Sequence, residues 1–196
     1  MSTFNPYAQQ GWNSQHSMPS GSRPSMYGAL PFSPPVTLPT LFAFRFTSFA
    51  PTILNCTVIG PQSRPYFRVL TDAPVQGVTG FQNAAGTNIA LVQWHRHPEV
   101  EVQGAVSRQR SSQMLALTPD QSARAMTLNN GSSMTFTPRE NFIWIYSNTS
   151  DPELLGRISR GQTSVTLELT GEAIHRGLLE SAVVATFLLQ CGRNID

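Results

Sequence analysis

Lysine is absent: all thirteen basic residues of this 196-residue chain are arginine. That excludes Schiff-base lysines, the lysine of a phosphate-binding loop and Ser-Lys dyads, because a guanidinium supplies none of the ammonium chemistry these need. Charge is scarce in both signs, at 12% of residues, and the formal net charge of +2 is too small to imply nucleic acid as a partner. The two cysteines, Cys56 and Cys191, are too few for a disulfide framework and lack metal-site spacing, so both read as buried thiols. No G-x-S-x-G elbow, H-E-x-x-H pair or glycine-rich phosphate loop occurs. The first residues, MSTFNPYAQQ, carry neither a basic leader with an apolar run nor a glycine for myristoylation. The expectation is an intracellular protein, cytoplasmic or nuclear, without a transmembrane segment. On that reading the sequons at Asn55, Asn130 and Asn148 stay unmodified.

What is present divides at about residue 38. The first 39 residues hold seven of the fifteen prolines among Ser, Gln, Asn and Gly, too little aliphatic surface to offset ordering entropy. Residues 1–38 are therefore expected to be a disordered tail and 39–196 the folded domain. From Leu41 the pattern has period two: Phe42, Phe44 and Phe46 alternate with Ala43, Arg45 and Thr47, placing three rings on one strand face. Further strands are read at 53–59, 66–71, 89–95, 100–106 and 114–117. Asn129-Asn130-Gly131 marks a tight hairpin between 125–128 and 134–137. Residues 142–146 are aromatic and β-branched, 154–158 suit a strand or a helical turn, and Val165, Leu167 and Leu169 alternate with polar residues in a last strand. About ten short, evenly spaced strands indicate a sandwich or barrel.

The stretch Leu178–Cys191, LLESAVVATFLLQC, is apolar at ten of fourteen positions. On a helix these cover every side, so the helix has no solvent face. At roughly 21 Å it is too short, and too interrupted by polar residues, to read as a membrane span. It is expected inside the domain, over about 172–191, beginning near Glu172 or nearer Leu178, with Leu178, Val183, Val184, Phe187 and Leu188 as core.

Candidate chemistry is thin. His95 and His97, two apart on an expected strand, share a face in the geometry that chelates Zn²⁺; Glu99 would be next on that face if Pro98 did not disturb the strand, and no fourth ligand is evident. Arg108 with Arg110, Arg157 with Arg160, and Arg64 with Arg68 form basic pairs able to fork onto phosphate or an anionic headgroup.

The segments RPYFRVLT (64–71) and LVQWH (91–95), followed by Arg124–Phe136 with its Asn-Gly turn and the apolar helix, resemble a basidiomycete fungal domain-of-unknown-function family. Phe136 stands where that family leads one to expect tryptophan. The family pattern is similar to the tubby, LURP-one and phospholipid-scramblase group. The resemblance implies a mainly β, tubby-like antiparallel barrel of about ten to twelve strands closed around a buried C-terminal helix. It also implies association with anionic lipid headgroups, while the acidic calcium-binding run of a scramblase is missing. No cofactor is expected. The resulting reading is a non-catalytic module binding an anionic membrane surface or a protein through Arg108, Arg110, Arg157 and Arg160. The alternative is an enzyme or a small-molecule or metal-binding protein centred on His95 and His97.

Overall fold

A computed structural model describes residues 39–71 and 77–196. The expected tail, 1–38, lies outside the described residues. Thirteen short strands occur among those described. They are β1 (Leu41–Thr47), β2 (Cys56–Ile59), β3 (Pro65–Thr71), β4 (Val78–Asn83), β5 (Asn88–Gln93), β6 (Glu99–Val102) and β7 (Val106–Arg110). After a four-residue helix α1 (Ser111–Met114) come β8 (Ala116–Leu117), β9 (Arg124–Thr127), β10 (Ser133–Arg139), β11 (Phe142–Ser147), β12 (Leu154–Arg160) and β13 (Val165–Thr170).

All thirteen belong to one antiparallel sheet in the order β7-β6-β5-β4-β3-β2-β1-β13-β12-β11-β10-β9-β8. Every neighbour is also a neighbour in sequence except β1 and β13, which pair from Leu41 opposite Thr170 to Phe46 opposite Val165. The inward positions of these two strands, Phe44, Phe46, Val165, Leu167 and Leu169, are buried. Phe42 shares their parity but sits at the strand's end beside Gly171 and stays 38% exposed, so two of the three expected rings enter the core.

The strands expected at 53–59 and 114–117 begin only at Cys56 and Ala116, Met114 lying in α1, and the one expected at 89–95 stops at Gln93. Two further amendments are larger. Val78–Asn83 forms β4, unforeseen because VTGFQN has a central glycine and only two large apolar residues. The single strand expected over 100–106 is instead the end of β6, a turn through Gly104 and the start of β7.

The apolar stretch is α3 (Leu179–Gln190), with every residue from Ser181 to Leu188 buried. Both proposed starting points are partly right. A first helix α2 (Gly171–His175) begins where the Thr170 hydroxyl accepts the Ala173 N–H at 3.2 Å, and Gly177, at φ 73°, breaks it from α3. Phe187 meets Phe81 edge-on, with centroids 5.0 Å apart, and lies 6.2 Å from Trp94. The sheet curls round this helix, which therefore replaces the expected central helix over 172–191 by a shorter, fully enclosed one.

The expected closed barrel is corrected: the hydrogen-bond ladder stays open between edge strands β7 and β8. Three local ties draw those edges together. Helix α1 joins them directly. At the opposite end Asn129 N–H donates to the Ala105 carbonyl at 2.9 Å, and the Asn129 side-chain oxygen accepts from Ser107 N–H at 3.3 Å. Residues 192–196 span the gap, since Arg193 lies 4.7 Å over the Trp94 ring after β5 while Ile195 is buried. Asp196 then takes two hydrogen bonds, at 2.9 and 2.7 Å, from Arg124 at the start of β9.

Those two bonds from Arg124 hold the Asp196 carboxyl below the usual carboxylate range, against a smaller opposing effect of burial. A lowered folded-state pKa contributes stability above the unfolded value near 3.9, lost as pH falls through the folded one. Asp196 is half exposed, with 51% of its side chain accessible, so Asp196→Asn is expected to cost only about 0.5–1 kcal/mol at neutral pH. Urea unfolding of both proteins across pH checks this: the gap should close in acid, and a gap that persists there contradicts the assignment.

Candidate functional site: an arginine face on strands β1 to β3

Between residues 39 and 71 the chain carries three arginines, Arg45, Arg64 and Arg68, and no Asp or Glu. These residues build three contiguous strands. Arg45 and Arg68 occupy outward positions between buried neighbours, Phe44 and Phe46 in β1, Phe67 and Val69 in β3. Arg45 stands opposite Ile59, and Arg68 opposite Thr57, which is itself opposite Thr47. Two strand spacings and a two-residue offset set their Cα atoms roughly 12 Å apart. Arg64 leads into β3 from the short 3-10 turn Pro61–Ser63, level with Gly60, whose N–H donates to the Arg64 carbonyl at 2.9 Å. None of the three has an ion-pair partner among the described residues. The chain's first carboxylate, Asp72, lies outside them.

Local chemistry fixes the face. The Tyr66 ring crowds Gly60, where a Cβ would come within 2.4 Å of it, and packs edge-on to Phe44 at 5.3 Å. A glycine is needed at that approach. Gln62 and Ser63 are both left-handed, at φ 61° and 58°, and Ser48 beyond β1 is at φ 56°. Such backbone strain in non-glycine residues persists where surrounding structure over-determines it, and it gathers at functional sites.

Three clefts open on this face, and no carboxylate lines any of them. One of about 350 Å³ lies between Phe42, Arg45 and the Gly60–Ser63 turn. Another, about 390 Å³, runs past Tyr66 and Arg68 to the β4–β5 turn. The largest, about 730 Å³, reaches from Arg45 across Phe49 to Gln162 and Ser164.

The other two arginine pairs named from sequence fare differently. Arg108 is bound to Glu99 at 2.7 Å and also donates to Gln93, and Arg157 is paired with Glu168. Arg157 further covers the rings of Phe142, at 4.7 Å, and Trp144, at 5.7 Å. Arg110 is exposed at the end of β7, with its backbone N–H on the Gln113 side chain at 3.4 Å. Arg160 makes one long contact, 3.5 Å, to Gln190. The four do not converge, since β8 to β11 separate β12 from the seam beside β7.

His95 and His97 are not on a strand. β5 stops at Gln93, and His95, Arg96 and His97 form an exposed turn closed by buried Pro98. The expected shared strand face is therefore corrected: the ladder ends at Gln93, two residues before His95, and the bend at residues 95–97 leaves both histidines exposed to solvent. Among the described residues no three His, Cys, Asp or Glu side chains converge as a metal site requires. Burial pushes the Cys56 thiol up to about 12 and raises Cys191 as well, leaving both unreactive at neutral pH.

Arg45 escaped the sequence reading because it stands alone within a run of phenylalanines. The signal that would have found it is the missing acid, a stretch of 71 residues without Asp or Glu.

No family model and no curated protein matches the chain. Among solved structures, a protein from Arabidopsis thaliana is similar at 12% sequence identity and a TM-score of 0.38, over 75% of this chain and 92% of that one. What the coordinates define is the class: a mainly β domain whose antiparallel sheet encloses an apolar C-terminal helix. No helix among the described residues is long and apolar enough to cross a membrane.

Proposed function

We propose that this domain is a non-catalytic, intracellular binding module that docks on an anionic membrane surface through Arg45, Arg64 and Arg68. The observation that carries the reading is the coincidence of three arginines, on β1, on β3 and just before β3, that have no ion-pair partner among the described residues, with the lack of any Asp or Glu between residues 39 and 71. Arginines in such a patch gain attraction to phosphate oxygens, and there is no internal carboxylate to compete. An apolar helix enclosed by an antiparallel sheet also supports kinship with the fungal family and the tubby-like group.

Co-sedimentation with phosphatidylcholine vesicles, with and without phosphatidylserine, tests it. Binding is expected only with the anionic lipid, and it should weaken as salt is raised. Arg45→Ala, Arg64→Ala and Arg68→Ala together should lower affinity at least roughly tenfold. Arg108→Ala should change little, because its charge is already neutralised by Glu99. Equal binding to neutral vesicles, or no loss in the triple variant, overturns the proposal.

A further inference from the structure

A smaller cleft, about 220 Å³, lies at the end of the sheet where α3 emerges. Its walls are the β1–β2 loop at Phe49–Ile53, the β12–β13 turn at Arg160–Val165, and the helix end at Gln190–Gly192. Arg160 is opposite Val165, which is opposite Phe46, and both of these are buried. Strand alternation therefore places Arg160 on the inward side, over the helix end, whereas Arg45 and Arg157 face outward. Among the described residues its guanidinium makes one contact, the long one to the Gln190 side-chain oxygen at 3.5 Å. Most of its donors are thus unspent.

We propose that this cleft is a binding site for a small organic monocarboxylate with an apolar body. The planar guanidinium of Arg160 matches a carboxylate in a two-pronged arrangement. Thr52, Ser164 and Gln162 line the same cleft and add neutral donors, while Phe49, Ile53 and Val165 offer an apolar wall. No carboxylate lines the cleft, and the Cys191 thiol beside it is held neutral by burial.

The helix end limits the ligand's charge. Carbonyls at a helix C-terminus carry about half a negative charge, so they already offset part of the charge on Arg160. One carboxylate is accommodated, whereas a polyphosphate would face those carbonyls without a second cation among the lining residues. The volume limits size: it equals about seven waters at roughly 30 Å³ each, and falls below the roughly 300–1,000 Å³ of pockets for drug-sized ligands. A single aromatic ring or short aliphatic chain fits.

The test is NMR titration of the full chain with sodium benzoate, and in parallel with benzamide, its uncharged counterpart. Saturable shifts are expected at Phe49, Ile53, Arg160 and Gln190 with benzoate, and binding of benzamide should be at least roughly tenfold weaker. Arg160→Gln should remove the preference for benzoate, while Arg45→Ala, outside this cleft, should keep it. Equal binding of the two compounds to the wild type overturns the proposal, and so do shifts that do not saturate or that fall elsewhere. The benzamide comparison decides the question even where Arg160→Gln fails to fold.

Discussion

Val184→Asp is expected to leave the chain without a cooperative melt. Val184 sits in the middle of α3 with no solvent exposure, between Val183 and Ala185, which are equally buried. The helix has no wet side onto which the new carboxylate could rotate, because its polar residues Ser181 and Thr186 are buried too. The carboxylate must either stay charged in apolar surroundings or bind a proton there, and each course costs several kcal/mol. A domain of this size has about 5–15 kcal/mol in total. Circular dichroism melts and the soluble fraction on expression check the outcome. A soluble variant that melts like the parent would show that the helix is not enclosed as described.

Gly156→Ala comes second, with an expected loss of about 3 kcal/mol. Gly156 pairs with Leu169 in the β12–β13 ladder and with Ile145 across β11, beside an irregularity in the register. A Cβ at this position would fall 2.1 Å from the Glu168 carbonyl oxygen and 2.9 Å from a Leu169 methyl. The nearer atom is backbone, so relief requires the two strands to part, where a flexible side chain would simply have turned aside. The neighbouring Arg157–Glu168 pair spans the same two strands and would be pulled with them. For a domain of about this length such a loss corresponds to a fall in Tm of roughly 6–12 °C. Gly80→Ala is the control: it too lies inside a strand, but nothing comes within 4 Å of the added carbon. Its Tm should hold or rise slightly, and equal effects at both positions would refute the steric account.

Much of the architecture was legible because it rests on local periodicity. Phe44 and Phe46, Val165 to Leu169, the Asn-Gly hairpin and the apolar helix each declare their element within a few residues. β4 did not, because a strand with glycine at its centre lacks the apolar alternation that marks its neighbours. The histidine pair misled for a related reason: two residues apart means one face only while the strand continues, and β5 ends at Gln93, before either histidine. The arginines show where a sequence falls silent. Arg157 and Glu168 are eleven positions apart and Arg124 and Asp196 seventy-two, so pairing is decided by strand order. Only the fold separates an arginine already neutralised, such as Arg108, from one such as Arg45 that is still available.

The pairing of β1 with β13 also governs the order in which the molecule comes into being. Phe46 finds its neighbour Val165 only after 119 further residues (165 − 46) have been added. At roughly 5–20 residues per second on the ribosome, β1 waits on the order of ten seconds with one edge unpaired. The helix that fills the interior is made later still. Every nascent chain therefore passes through a stage in which the strands exist, the filling does not, and their inward phenylalanines and valines are open to any passing apolar surface. Such a chain carries an apolar sheet face without its filling until the last of the helix residues has been added.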